Sequence, residues 1–551
     1  MKNNLKISGL VTIVCLLLIF LSSATYGNPL LDVIPKNSLA VLELADAEVI
    51  QYFSEMNLPS FAPGTDAVDL KEYQDAREEA KRELGFDVLD PQFIENIFNQ
   101  GTVLACVGVS IGGIPELLMA LSPSDEHAFL KFVGAVMAKN ELEEEVSDFK
   151  DIKIVRIILP ENANSDPFDS IYYTFLEKTL VLGGNISAIR KSIDVYLGEQ
   201  ESLQNNTEYH EIKANTTEKI EFSTFFACLF SQEVYQVLDE LIMIVEEDEL
   251  LANLESTRDS LENMATVGIA GGYREESFVA YMIAPQTSDE MLDLYREIDI
   301  TQLQSLQMFP NNTFFYLAGL SPFTWTEMKE DLIDKSQKAT LEDNIGQLRT
   351  KTGIDIEGIL SAIPSKEFSL AIFDSAGFFP KVGLLTGFHS MEKLEEHVFP
   401  LIQSFALRMG GQLMEGQYGN IPYKTLPNPM FPVAYGVFGD RLVVSTGIND
   451  IIDTYKEHRE SLEKSEAINY MLSYPNVISL LYIDMVPIAQ IAGRFMQMSQ
   501  QTMQQTPGGT GANTGNATQE IMENLKNLKN ILFWAGIEED DIYAWLEINF
   551  Q

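Results

Sequence analysis

Residues 176–196 read LEKTLVLGGNISAIRKSIDVY, and residues 438–458 read FGDRLVVSTGINDIIDTYKEH. Each begins with a polar turn, runs on as an apolar segment of strand length, breaks at small residues, and resumes with apolar residues at helical spacing. A chain that writes one strand–turn–helix unit twice, about 260 residues apart, must build the same local structure in two places. That repetition constrains the fold more tightly than any single motif.

Other segments echo each other in the same order. Residues 34–50, IPKNSLAVLELADAEVI, match 309–325, FPNNTFFYLAGLSPFTW, with Pro35 on Pro310. LGFDVLD (84–90) matches TGIDIEG (352–358), and Pro115 falls on Pro380 at the start of an apolar run in each half. DEHAFLKFVGAVMAKN and SMEKLEEHVFPLIQSFALRMG follow as long helices; in the second, Leu394, Val398, Leu401, Ile402 and Phe405 keep one apolar face. The halves close on GGYREESFVAYMI (271–283) and AGIEEDDIYAWLEI (535–548), which pair Gly272 with Gly536 and Tyr281 with Trp545 across hairpins with acidic turns.

Tight turns between successive apolar runs imply antiparallel pairing, with helices inserted between the pairs. The expected fold is therefore α+β: two homologous repeats, each a mostly antiparallel sheet with helices covering one face. The first repeat is expected at 28–284, a linker at 285–308 and the second repeat at 309–551. Residues 497–518, QMSQQTMQQTPGGTGANTGNAT, lack periodicity and are expected to be a flexible insertion.

The first 27 residues follow a different logic. Lys2 and Lys6 precede an apolar run at 10–21, and Ala24-Thr25-Tyr26-Gly27 sets small residues at the −3 and −1 positions of a cleavage site. The run is shorter than the ~20 residues of a spanning helix. It is expected to be a signal peptide of an exported, periplasmic or extracellular protein; retention as an uncleaved anchor is the alternative. No later stretch is long and apolar enough to span a bilayer. The formal net charge of −44 becomes −46 without those two lysines, a surface that repels phosphate backbones. Nucleic acid is thereby excluded as a partner. Beyond the signal only Cys106 and Cys228 remain, expected as two buried free thiols, although the compartment permits a disulfide.

The segments IPKNSLAVLEL, TLVLGGNISAIRKSI and DRLVVSTGINDII together resemble the bacterial domain of unknown function 3352 family of exported proteins. The resemblance covers most of both halves and rests on structural positions. It implies an envelope location and a repeated architecture. It implies no reaction, and no functional residue carries over.

Chemistry is thinly signalled. Gly108-Val109-Ser110-Ile111-Gly112 fits the G-x-S-x-G nucleophile elbow, which requires a strand, a strained turn and a helix. Here Gly113-Ile114-Pro115 and a second apolar run follow, so a hairpin turn is expected, and Ser110 stays a weak catalytic candidate. Gly183-Gly184-Asn185 could cradle a phosphate at a helix start, but the second copy has Ser445-Thr446-Gly447 there, and a capped turn explains both. His127, His210, His389, His397 and His458 form no metal-binding pair, and the acidic runs at 141–145, 246–249 and 538–541 lack calcium-loop spacing. No cofactor or metal is expected. The expected function is non-enzymatic binding of an envelope protein or an apolar ligand; a serine hydrolase and a structural envelope component are the alternatives.

Overall fold

The computed structural model describes residues 28–44, 101–109, 115–159 except 141, 170–220, 224–229, 266–285 except 275–276, 303–321, 354–363, 367–373, 379–408 except 389, 411–426, 432–457, 460–504 and 527–551 except 539–540, with scattered helical positions at 81–82, 239, 242, 251, 258, 295 and within 341–350. The chain divides into two compact units, Met1–Pro285 and Gln286–Gln551. Residues 1–27, where a signal peptide is expected, lie outside the described residues.

The first unit opens on a 3₁₀ turn, Pro29–Val33, whose Leu30, Leu31 and Val33 are buried. Its strands are β1 (Ala40–Leu44), β2 (Thr102–Val109) and β3 (Pro115–Leu121), followed after helix α1 (Glu126–Asn140) by β4 (Glu143–Phe149), β5 (Ile152–Ile158), β6 (Ser170–Leu176) and β7 (Thr179–Gly183). Helices α2 (Ile186–Tyr196) and α3 (Thr207–Thr217) lead to β8 (Thr224–Cys228), β9 (Val267–Arg274) and β10 (Ser277–Pro285). Every described pairing is antiparallel, and the order is β10-β9-β8-β1-β2-β3-β7-β6-β5-β4.

The second unit opens on α4 (Ser305–Met308) and continues with β11 (Thr313–Gly319), α5 (Ile356–Ala362), β12 (Phe368–Phe373) and β13 (Lys381–Gly387). A helical segment beginning at Met391 passes through a π-helical turn, Leu394–Val398, into α6 (Phe399–Arg408). Then come β14 (Met414–Tyr418), β15 (Ile421–Leu426), β16 (Val433–Phe438), β17 (Arg441–Ser445), α7 (Ile448–Glu457), α8 (Glu466–Leu472), β18 (Val477–Asp484), α9 (Met485–Gln504), β19 (Leu528–Glu538) and β20 (Asp541–Phe550). The pairing order is β20-β19-β18-β11-β12-β13-β17-β16-β15-β14, position for position that of the first unit.

The expected fold class is corrected by the sheet itself. All twenty strands are assigned to one antiparallel sheet, not to two α+β repeats that each carry a sheet with helices over one face. The physical reason lies in what a pattern encodes. Alternation and turn residues fix the two strands of a hairpin, but they do not say where the ladder ends. Two smaller expectations also shift. Residues 303–308, read as linker, are packed: Leu303, Leu306 and Met308 are buried, as Leu30, Leu31 and Val33 are in the first unit. Helix α9 runs to Gln504, so the first residues of the 497–518 stretch are helical; 505–518 lie outside the described residues.

Local chemistry explains the matching elements. The loop Glu177-Lys178 joins β6 to β7 and Gly439-Asp440 joins β16 to β17, both as two-residue hairpins. The first loop residue has positive φ in each, +54° for Glu177 and +63° for Gly439, as tight hairpins of this kind require. Just beyond each unit's opening turn, an isolated bridge joins Pro35 to Ser202 or Pro310 to Ser461. Leu203 then donates its backbone N–H to the Ile34 carbonyl, and Leu462 does the same to Phe309, at 2.8 and 2.9 Å. Phe129 of α1 buries itself among Leu121, Ile157, Tyr173 and Leu180; Leu394 and Val398 pack with Ala362, Tyr435 and Leu442 in the second unit.

Strands β4 and β14 each pair with one neighbour among the described residues. β4 carries Glu143, Glu144, Glu145 and Asp148, all exposed, and its Val146 is 59% exposed. Among the described residues no helix is long and apolar enough to cross a membrane.

Candidate functional site

Among the described residues, those singled out by sequence are not gathered into a reactive centre. Ser110, Ile111 and Gly112 lie outside the described residues; the flanks are β2 and β3, which pair with each other as a hairpin, Val109 opposite Pro115. The Gly183–Asn185 break is a filled cap. Asn185 Oδ1 accepts from the Ala188 N–H at 2.8 Å, occupying the group a phosphate would use. In the second copy Ser445 Oγ accepts from Gly447 N at 2.9 Å, and Thr446 Oγ1 accepts from Val382 N at 2.9 Å.

The histidines are dispersed. His127 is exposed, His210 Nε2 lies 2.9 Å from the Gln204 carbonyl, and His389 and His458 lie outside the described residues. His397, on the π-helical turn, has Nδ1 3.4 Å from Asp355 Oδ2 and Nε2 3.7 Å from Glu396 Oε2. Its ring rests against Gly358, where a Cβ would collide with it. Both ring nitrogens thus face carboxylates, an arrangement that orients a side chain without supplying a nucleophile. Among the described residues no cluster of three or more His, Cys, Asp or Glu side chains could hold a metal ion.

Three buried carboxylates are engaged in holding the structure. Glu43, 4% exposed, accepts from the Tyr209 hydroxyl, the Lys213 ammonium and Asn28 Nδ2. Burial first, and then the Glu43 charge, raise the Tyr209 phenol well above its ordinary value. Glu367, 1% exposed, accepts from the Ser305 and Gln304 N–H groups and from Arg441 Nε at 2.9, 3.3 and 3.1 Å. Each of these two carboxylates therefore ties down the opening segment of its unit.

Glu116 is 6% exposed and lies 2.7 Å from Lys191 of α2, whose ammonium also donates to the Val107 carbonyl at 2.9 Å. At the equivalent register in the second unit stands Lys381, 2.6 Å from Asp450 of α7. Both units thus tie this strand to the helix that follows by an ion pair, with the signs reversed and the helix partner one turn nearer the helix start in the second unit. A catalytic role would not survive that reversal; a clamp between strand and helix does. Lys191→Glu is expected to destabilise the chain by ~3 kcal/mol, because it leaves the Glu116 carboxylate buried without a counter-charge. Glu116→Lys with Lys191→Glu is expected to recover most of the loss in urea unfolding, a coupling that two independent surface charges would not show.

The second unit carries a different feature. Trp534 of β19 pairs in register with Trp545 of β20, and their rings stack at 10° with centroids 5.8 Å apart. Tyr474, just beyond α8, lies 4.8 Å from Trp534 and 5.5 Å from Trp545; Tyr470 meets Trp534 edge-on at 5.6 Å. Trp534 is fully buried, whereas Tyr470 is 39% exposed. The two tyrosine hydroxyls lie 3.1 Å apart. Desolvation raises the Tyr470 phenol, and the Tyr474 hydroxyl and the Glu547 carboxylate raise it further. Glu466 lies four residues before Tyr470, on the same helix face. The result is an aromatic ledge with two hydroxyls and a carboxylate at its lip.

On the adjoining face of α8, Asn469, Leu472 and Ser473 line a shallow, half-open depression of about 260 Å³ with Leu303, Leu306, Gln307 and Glu463. Its volume falls below the ~300–1,000 Å³ of ligand-enclosing pockets. In the first unit, the position of Trp534 is held by Ala270 and that of Trp545 by Tyr281. The ledge is therefore peculiar to the second unit. Sequence reasoning placed Trp545 in a hairpin but had no means of bringing Tyr470 and Tyr474 to it. No protein-family model matches the chain, nor does any curated protein or solved structure.

Proposed function

We propose that the chain is an exported, non-enzymatic binding protein that uses the Tyr470–Tyr474 ledge to hold cationic side chains of a partner protein. The observation that carries this reading is the Tyr470 ring, 39% exposed, with half-buried Tyr474 beside it, backed by the buried, stacked Trp534–Trp545 pair and edged by Glu547. Aromatic faces attract lysine and arginine, and tyrosine and tryptophan dominate the energetic centres of protein interfaces. The net charge of −44 adds long-range attraction for a basic partner. An apolar ligand fits less well, because the depression beside α8 is small and half open. The N-terminal sequence and the likeness to uncharacterised exported proteins support an envelope location. The shared strand order of the units supports an origin by duplication.

An oligoarginine peptide titrated into the full chain is expected to quench tryptophan fluorescence, with an affinity that falls as salt rises. Tyr470→Ala with Tyr474→Ala is expected to weaken that binding about tenfold, the equivalent of ~1.4 kcal/mol. An unchanged affinity in the double variant would assign the peptide to the diffuse acidic surface and sink the ledge. An oligoglutamate peptide serves as the control and should not bind.

A further inference from the structure

β4 and β14 stand at matching ends of the two pairing orders, and each pairs with one neighbour among the described residues. Their free edges differ in charge. β4 reads EEEVSDF, so two β4 edges laid together would crowd like charges against one another. β14 reads Met414-Glu415-Gly416-Gln417-Tyr418 and is exposed throughout except at half-buried Gly416. The hairpin with β15 fixes which of its backbone groups face outward. Tyr418 pairs with Ile421 across the two-residue loop Gly419-Asn420, and the ladder continues through Gly416–Tyr423 to Met414–Thr425. A two-residue hairpin closes on a hydrogen-bonded pair, and such pairs alternate along an antiparallel ladder. Tyr418, Gly416 and Met414 therefore turn their N–H and C=O groups towards β15, whereas Glu415 and Gln417 turn theirs to the free edge. Pro422 stands opposite Gln417, where this alternation asks β15 for no N–H.

The outward edge of β14 complements itself when reversed about Gly416. In that register Glu415 of one copy faces Gln417 of a second, and Met414 faces Tyr418. The Glu415–Gln417 pairs are of the hydrogen-bonded kind, so their outward N–H and C=O groups satisfy each other. The Gln417 carboxamide gives one N–H to the Gly419 carbonyl at 3.1 Å and keeps a second for the opposing Glu415 carboxylate. Met414, 52% exposed, sets its sulfur against the 36% exposed Tyr418 ring, a favourable contact. At the centre Gly416 meets Gly416, a non-hydrogen-bonded pair with Cα atoms about 4.5 Å apart. The Tyr423 ring already occupies the place a Gly416 side chain would take, since a Cβ there would lie 2.5 Å from Tyr423 Cε2. No side chain of Gly416 therefore crowds the axis.

We propose that two copies of the chain join edge to edge through β14, antiparallel about a twofold axis at Gly416, in a weak symmetric dimer. The interface is isologous: one short strand supplies both sides, and each residue meets the complement that its own copy carries. A second copy is the occupant because this register satisfies the outward backbone groups and opposes no two charges directly. The net charge of −44 on each copy resists the encounter, so the dimer strengthens as salt screens that repulsion. Binding of a cationic partner at the aromatic ledge has the opposite salt dependence. The dimer concerns β14 alone and is independent of the ledge.

Sedimentation velocity of the full chain is expected to show a monomer–dimer equilibrium that moves towards dimer as salt rises from ~0.1 to ~1 M. Gln417→Glu, which sets carboxylate against carboxylate on both sides of the axis, is expected to weaken association about tenfold, and Gln417→Lys to strengthen it. Asp148→Asn changes the net charge as Gln417→Lys does but lies on β4, and is expected to leave the affinity as it is. Crosslinking reads the register, in a background of Cys15→Ser, Cys106→Ser and Cys228→Ser. Met414→Cys with Tyr418→Cys, oxidised by copper–phenanthroline, is expected to yield a covalent dimer, because their pairing brings the Cα atoms within disulfide reach. Either cysteine alone is expected to yield none, since like positions lie four residues apart along the paired strands. A chain that stays monomeric at high salt, an affinity indifferent to the Gln417 substitutions, or a single-cysteine variant that crosslinks as well as the double would each overturn the proposal.

Discussion

Trp534→Ala is expected to lower the unfolding free energy by about 3–5 kcal/mol, the range seen when a large buried aromatic ring is truncated. The ring is fully buried and touches Tyr470, Tyr474 and Trp545, so no single neighbour can collapse into the space it leaves. Its strand position is fixed from both sides, with Leu480 of β18 on one and Trp545 of β20 on the other. The indole Nε1 has no hydrogen-bond partner among the described residues, which makes the ring's contribution one of packing and area. Trp534→Phe should therefore cost markedly less, since it keeps most of the ring and removes the desolvated N–H. Urea unfolding of the full chain, followed by circular dichroism, measures both. A loss below about 1 kcal/mol for the alanine variant would mean that the ledge is loosely packed and unfit to hold a partner rigidly.

Glu367→Ala is expected to be of similar size, about 3–5 kcal/mol, for a different reason. The Arg441 side chain is 13% exposed and would lose the buried carboxylate 3.1 Å from its Nε, keeping only the 69% exposed Asp440 carboxylate 2.7 Å from its Nη1. The N–H groups of Gln304 and Ser305 at the start of α4 would lose their acceptor at the same time. Around them Ser305 Oγ lies 2.6 Å from the Tyr316 hydroxyl, and Ser369 Oγ donates to Ser305 Oγ at 2.7 Å, so the damage extends through a shared network. Glu367→Ala combined with Arg441→Met isolates the guanidinium's share. If the pair unfolds at a clearly higher urea concentration than Glu367→Ala alone, the guanidinium left with only the exposed Asp440 is the main penalty. If the two unfold together, the loss lies in the α4 attachment.

Comparison of the sequence with these contacts shows where local information ends. The hairpins β9–β10 and β19–β20 were legible because apolar runs flank an acidic turn within a dozen residues. The Asn185 cap was legible for the same reason, since its acceptor and donor are three residues apart. Glu367 and Arg441 are 74 residues apart, and nothing near either one marks it as buried. Leu303, Leu306 and Met308, buried at the opening of the second unit, carry no period of their own among polar neighbours. Tyr470 and Tyr474 read as ordinary helix residues until β19 and β20 are placed beside them. The extent of the sheet was the largest miss. Strand count and hairpin turns are local properties, whereas the extent of a ladder is not.

The acids of β4 acquire a purpose when that strand is seen as a rim. A strand paired on one side offers unsatisfied N–H and C=O groups to any passing chain, above all to another copy of itself. Glu143, Glu144, Glu145 and Asp148 give every such approach a like-charge cost, while the exposed Val146 between them would otherwise favour it. That guard is electrostatic and therefore conditional on ionic strength, because its reach shrinks from ~10 Å at 0.1 M salt to ~3 Å at 1 M. β14 has Glu415 as its only charged residue, with Met414 52% exposed. Much of the chain's negative charge can thus be understood as colloidal insurance for a long ladder, and the thinly charged β14 is where that insurance lapses first.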